Sequence, residues 1–137
     1  MNSSYAVFCD DIRQETTGKF LLVGCYGAAL VCSHFPYAGR IAALVHQFNA
    51  KPGSTFRAEY SLESGAVLAA IEIEVPAVDP MPAFLQAPLP PFDVVVSSAD
   101  TLILKTATGD DQLEVVGRLN ITQGTVPDIR AASTPAI

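Results

Sequence analysis

Apolar and polar residues alternate with a period of two along most of this chain, and no stretch holds the 3.6-residue spacing of an amphipathic helix. Thr55–Leu62 is the clearest case. Phe56, Ala58, Tyr60 and Leu62 alternate with Thr55, Arg57, Glu59 and Ser61, the pattern of a half-buried strand. Ala66–Val75 follows Glu63-Ser64-Gly65 and places Val67, Ala69, Ile71, Ile73 and Val75 on one face, with Glu72 and Glu74 on the other, so the two segments predict a hairpin. Thr101–Ala107 and Gln112–Ile121 flank Thr108-Gly109-Asp110-Asp111, a run suited to tight reversal. They predict a second hairpin, with Leu113, Val115, Gly117, Leu119 and Ile121 sharing a face. Ile41–Asn49 ends at the turn residues Lys51-Pro52-Gly53-Ser54 and is therefore expected to pair with the Thr55 strand.

Near the N-terminus, Tyr5–Ile12 and Lys19–Gly27 predict a hairpin closed around Thr16-Thr17-Gly18, which brings Cys9 and Cys25 opposite each other. The runs Ala28–Cys32 and Asp93–Ser98 complete a set of roughly eight or nine short strands separated by turn residues, the signature of an antiparallel all-β sandwich or barrel. A two-sheet sandwich, immunoglobulin-like or C2-like, accommodates the long bridging loops better than an up-and-down barrel. The expected organisation is one sandwich domain over residues 1–124 and a C-terminal tail over 125–137.

Two stretches do not read as strands. Pro76 to Pro91 holds Pro76, Pro80, Pro82, Pro88, Pro90 and Pro91, which favour extended backbone without ladder bonds and are expected to stay out of a sheet centre. The same stretch carries Met81, Phe84, Leu85 and Leu89. Those four side chains either cover an open end of the sandwich as a strap or dock on a neighbouring subunit or partner as an arm. The tail, Thr125–Ile137, is small and polar with Pro127 and Pro135, and is expected to be loose unless an assembly holds it.

Composition narrows the function classes. The chain has 137 residues with 8 basic and 14 acidic side chains, a formal net charge of −6, and only 16% charged residues, against roughly 25% in ordinary domains. Mean hydropathy is +0.33, so a packed core rather than disorder is expected. Scattered cations on an acidic background argue against nucleic-acid binding, which needs clustered Lys and Arg to displace phosphate counterions, and against anionic membranes. Phe20–Gly39 contains no charged residue and is long enough to span a bilayer, but Gly24, Gly27, Ser33, His34 and Pro36 interrupt it, so two buried strands meeting at a glycine are expected instead. The opening residues show no basic n-region or long apolar run, and the mature chain is expected to begin at or near Met1. Cys9, Cys25 and Cys32 lack metal-ligand spacing and are expected to be reduced, buried thiols.

Material for catalysis is thin. Asp10 and Asp11 alternate across a strand and cannot face one cation without a bulge, so an Asp–Arg contact with Arg13 closing the strand end is the expected role. Asp110-Asp111 reads as turn chemistry. His46 shares a strand face with Leu44 and Phe48, and His34 lies in an aromatic and proline cluster; neither has zinc-finger spacing. There is no nucleophile elbow, phosphate loop or dinucleotide fingerprint. No catalytic, metal or cofactor site is expected.

One local pattern is distinctive: Phe8-Cys9-Asp10-Asp11-Ile12-Arg13, then Gly18-Lys19, then Val23-Gly24-Cys25-Tyr26-Gly27. It resembles the N-terminal hairpin of a family of small bacterial and phage-encoded β-rich proteins with no assigned activity. The resemblance is good over residues 5–27 and fainter to about residue 75. It implies a sandwich-like fold and a bacterial or phage origin, and carries over no catalytic residue. Asp10, Asp11, Arg13, Gly18, Gly24 and Tyr26 read as a structural motif. The functional expectation is a non-enzymatic assembly protein, made in the bacterial cytoplasm and incorporated into a virion as a capsid decoration or tail accessory subunit, self-assembling or bound to a particle. The alternative is a small acidic module that binds a host protein, for example to inhibit a bacterial defence system. A calcium-binding or enzymatic domain ranks third.

Overall fold

The computed structural model describes residues 4–77 and 84–125. Within them the chain forms β1 (Tyr5–Cys9), β2 (Asp11–Gln14), β3 (Phe20–Val23), β4 (Ala29–Cys32), β5 (Tyr37–Phe48), β6 (Thr55–Leu62), β7 (Val67–Glu74), β8 (Phe84–Val96), β9 (Asp100–Thr108) and β10 (Glu114–Gln123). The protein is all-β. One sheet has the order β1-β5-β8, the other β4-β10-β9-β6-β7, and β2 pairs with β3 as a separate ribbon. Neighbouring strands run antiparallel except β4, which lies parallel to β10.

Alternation along each strand supplies two apolar faces that must be buried against each other. Phe56, Ala58 and Tyr60 of β6, Leu102 and Leu104 of β9, and Leu119 and Ile121 of β10 face Ile41, Ala43 and Val45 of β5 with Leu89, Val94 and Val96 of β8 in one core. Specific contacts also cross between the sheets. The Tyr60 and Phe92 rings lie 4.5 Å apart, Thr106 Oγ1 donates to Gln47 Oε1 at 2.6 Å, and Phe8 lies so close to Gly117 that a Cβ there would meet its ring at 2.9 Å. The β6–β7 and β9–β10 hairpins form as expected, and β6 spans the expected residues.

Ile41–Asn49 does not pair with the Thr55 strand. Its strand, β5, lies between β1 and β8, and β6 lies between β9 and β7. Lys51–Ser54 instead carries the chain from one sheet to the other, held there because Gly53 N–H donates to Val75 O at 3.0 Å and Val75 N–H to Ser54 O at 2.8 Å. Turn chemistry specifies a reversal and not the partner. The middle of β5 is buried on both sides, since Ala42 and Leu44 are buried along with Ile41, Ala43 and Val45, which suits the central strand of a small sheet.

The Pro-rich stretch is also corrected in its second half. Pro88, Pro90 and Pro91 lie inside β8, which begins at Phe84 rather than Asp93. β8 is a sheet edge, where a residue without an N–H is tolerated. Its register with β5 shifts between Ile41↔Phe92 and Ala43↔Leu89, so Pro90-Pro91 face Ala42 as a bulge. Residues 78–83 and 126–137, which include Met81 and nearly all of the tail, lie outside the described residues.

Bulges also reverse two predicted faces. A shift between Tyr60 and Ser61 in the β6–β7 ladder leaves Val67 61% exposed, off the face of Ile71 and Ile73. A shift between Val115 and Gly117 buries Val116 and leaves Val115 40% exposed. The opening strand breaks at Asp10 into β1 and β2, because β1 joins the three-stranded sheet whereas β2 leaves it with β3.

Candidate functional site

The N-terminal motif forms a clasp around Asp10. Tyr26 Oη donates to Asp10 Oδ1 at 2.7 Å, while Asp10 N–H donates to Val23 O and Tyr26 N–H to Phe8 O, each at 2.9 Å. Gly24 has φ +67° and its α-carbon is crowded by Asp10 Oδ2, so a side chain is excluded there twice over. Burial and the bond to Asp10 push the Tyr26 phenol well above its ordinary value. Gly18, at φ +87°, makes the turn between β2 and β3, with its N–H donating to Glu15 O at 2.9 Å. Asp11 accepts from Ile12 N–H at 2.9 Å. Its approach to Arg13 is 3.8 Å between exposed side chains, a pair of little energetic weight. The tie at the strand end is therefore Asp10–Tyr26 rather than an Asp–Arg bond. Among the described residues no group of three or more His, Cys, Asp or Glu side chains could hold a metal ion.

The candidate partner-binding residues separate. Leu89 is 0% exposed and belongs to the core, because it alternates in phase with Leu85 and Ala87 and pairs with the inward-facing Ala43. Leu85 packs against the same core. Met81 lies outside the described residues. Of the three that are described, Phe84 alone is an exposed large side chain, at 36%.

Phe84 belongs to a feature that spans the outer face of the three-stranded sheet. The registers Tyr5↔His46 and Phe48↔Phe84 line up side chains from all three strands. Tyr5 stacks on His46 with ring centroids 4.6 Å apart and planes 11° apart. His46 lies 5.3 Å from Phe84, and Phe84 lies 5.5 Å from Phe48. Val7, Leu44, Gln86 and Pro88 continue this face, and the charges that alternation places on it, Arg40 and Asp93, pair with each other at 3.6 Å. Burial keeps the His46 pKa below 6.5, so the row is neutral at pH 7. The alternation of Leu44, His46 and Phe48 already placed them together; that their side faces away from the core, beside Tyr5 and Phe84, follows from strand pairing.

At the end of the sandwich a polar cleft of about 330 Å³ opens near Gln47, Thr106, Thr108, Asp111 and Glu114. Asp111 is held there by Lys51 Nζ at 3.2 Å, and its carbonyl accepts from Arg57 Nη2 at 2.6 Å, so it is fixed as turn chemistry. His34 Nδ1 lies 3.0 Å from Ser33 Oγ at the surface. No described helix is long and apolar enough to cross a membrane. Compared with protein-family models and with curated proteins, the sequence matches none.

Proposed function

We infer that the protein is a non-enzymatic assembly subunit that associates through the outer face of its three-stranded sheet, with a second copy of the same chain as occupant. The observation that carries this reading is the uncharged aromatic row Tyr5–His46–Phe84–Phe48 on a molecule of net charge −6. Two acidic molecules repel over most of their surfaces; a face whose charges among the described residues, Arg40 and Asp93, are mutually paired is where copies can meet without that cost. Exposed aromatic side chains are also the residues that contribute most per contact at interfaces. The resemblance of the opening motif to a family of small bacterial and phage-encoded β-rich proteins is compatible with a particle component, such as a capsid decoration or tail accessory subunit, as the setting.

The test is solution mass. Light scattering behind size exclusion is expected to give a multiple of 14.5 kDa, with the Phe84→Ser/Tyr5→Ser variant returning to monomer while keeping its fold. A wild type that is monomeric at high micromolar concentration and absent from purified particles overturns the reading.

A second reading is favoured by β7. It is an edge strand whose Glu72 and Glu74 are exposed, and such an edge can accept a strand from a basic partner. Capture of a host protein that is lost on neutralising Glu72 and Glu74, with no change in oligomeric state, would select the host-binding module.

A further inference from the structure

The two backbone bonds that flank Cys9 define its position across the N-terminal hairpin. Tyr26 N–H donates to Phe8 O and Asp10 N–H to Val23 O, both at 2.9 Å. Between them Cys9 alone faces Gly24-Cys25, an arrangement of two residues against one with the glycine in the left-handed region at φ +67°. The α-carbons of facing positions of this non-hydrogen-bonded kind stand about 4.5 Å apart, at the short end of the roughly 4.4–6.8 Å that a disulfide bridges. Their accessibilities differ: Cys9 is buried and Cys25 is exposed, both as free thiols. Cys32 is buried elsewhere, with its Sγ–H donating to Thr122 O at 3.4 Å, and takes no part.

We propose that Cys25 is a thiol-modification site at which low-molecular-weight disulfides are captured, and that Cys9 resolves the adduct into a Cys9–Cys25 cross-strand disulfide. With oxidised glutathione the Cys25 thiolate attacks one sulfur of the glutathione disulfide. The glutathione S–S bond breaks, a Cys25–glutathione bond forms, and one glutathione thiolate leaves to take a proton from water. Cys9 then gives its proton to solvent and attacks Cys25 Sγ, displacing the second glutathione. Two protein thiols are oxidised and one glutathione disulfide is reduced to two thiols.

The surroundings set the order of the steps. Burial, then the nearby Cys25 and Asp10, raise the Cys9 pKa to about 11, so Cys9 is a poor first nucleophile and resolves slowly at neutral pH. The Asp11 backbone N–H opposes this shift and its carboxylate adds slightly to it, and no cation is among the groups acting on this thiol. Ring closure is therefore expected to accelerate about tenfold per pH unit between pH 7 and 9.

Reduced full-length protein incubated with millimolar oxidised glutathione, followed by intact mass measurement and peptide mapping under non-reducing conditions, tests the proposal. The expected product has lost two hydrogens, retains one alkylatable thiol at Cys32, and yields a linked Cys9–Cys25 peptide pair. Cys9→Ser is expected to stop at the glutathione adduct on Cys25, and Cys25→Ser to remain unmodified. The proposal is overturned if wild type also stops at the adduct, if Cys25 stays unmodified, or if another cysteine pair is linked. Because the wild-type map alone decides, a poorly folding Cys9 variant leaves the test intact.

Discussion

The Tyr26 hydroxyl donates to one oxygen of Asp10 at 2.7 Å while the other oxygen of that carboxylate lies over the α-carbon of Gly24. One side chain at the bend between β1 and β2 thereby fixes the segment that follows β3. The bond is partly open to solvent, so Tyr26→Phe and Asp10→Ala should each cost about 1–2 kcal/mol. Their double variant should lose less than the sum, as expected for partners in one contact. Gly24→Ala combines a left-handed backbone with a clash and should cost at least as much as either. Urea denaturation of the wild type and these four variants measures all of this; strict additivity of Tyr26→Phe and Asp10→Ala would rule out the coupling.

Leu89 and Phe84, five residues apart in one strand, should respond oppositely to substitution. Leu89→Ala opens a cavity in the core and should cost about 2–5 kcal/mol. Phe84→Ser removes a half-exposed ring and should change stability by about 1 kcal/mol or less, while weakening self-association. Thermal melts and sedimentation velocity on the same two variants separate the effects.

The Tyr60 hydroxyl is buried and has no hydrogen-bond partner among the described residues. Tyr60→Phe keeps the ring beside Phe92 and removes an unsatisfied donor, so it should raise stability by about 1 kcal/mol, or about 3–5 °C in Tm. An unchanged or lower Tm would mean that the hydroxyl is satisfied.

Alkaline pH should destabilise the fold. Burial raises Cys9 from 9.0 to about 11, and burial also lifts the Tyr26 and Tyr60 phenols above 10.0. In each case the folded chain keeps a proton that the unfolded chain has already released, so this stabilisation is complete below about pH 9 and declines as pH rises. Tm measured between about pH 8 and pH 10.5 should fall, and less steeply in Tyr60→Phe.

Acid should loosen the proposed self-association. His46 is half-buried as the neutral base between Tyr5 and Phe84, which supply no counter-charge. Protonation below its lowered pKa puts a cation on each facing copy, so the association constant should drop between about pH 7 and pH 5. His46→Gln should make association insensitive over that range. A wild-type constant that holds steady would remove His46 from the interface.

Much of the fold was legible because period-two burial is a local property. Thr55–Leu62 reads as a strand from eight residues and is one, and both hairpins close where turn residues interrupt alternation. The errors share another origin. Val67 and Val115 change face at one-residue bulges, which a strict alternation cannot anticipate. Pro88, Pro90 and Pro91 argued against a strand, yet an edge position needs no donor on its open side, and edge status is unknowable before pairing.

The candidate surface divides in the same way. Sequence by itself determined the all-β class, the paucity of charge, and the grouping of Leu44, His46 and Phe48 on one side of a strand; it marked Asp10, Gly24 and Tyr26 as parts of one motif but not that they touch. Only the tertiary structure decided that Leu89 is core, that Phe84 is surface, and that Tyr5, 41 positions from His46, stacks upon it. Alternation says which residues share a face, but which face meets the other sheet depends on contacts between segments far apart in the chain, and those are set by packing the whole molecule at once.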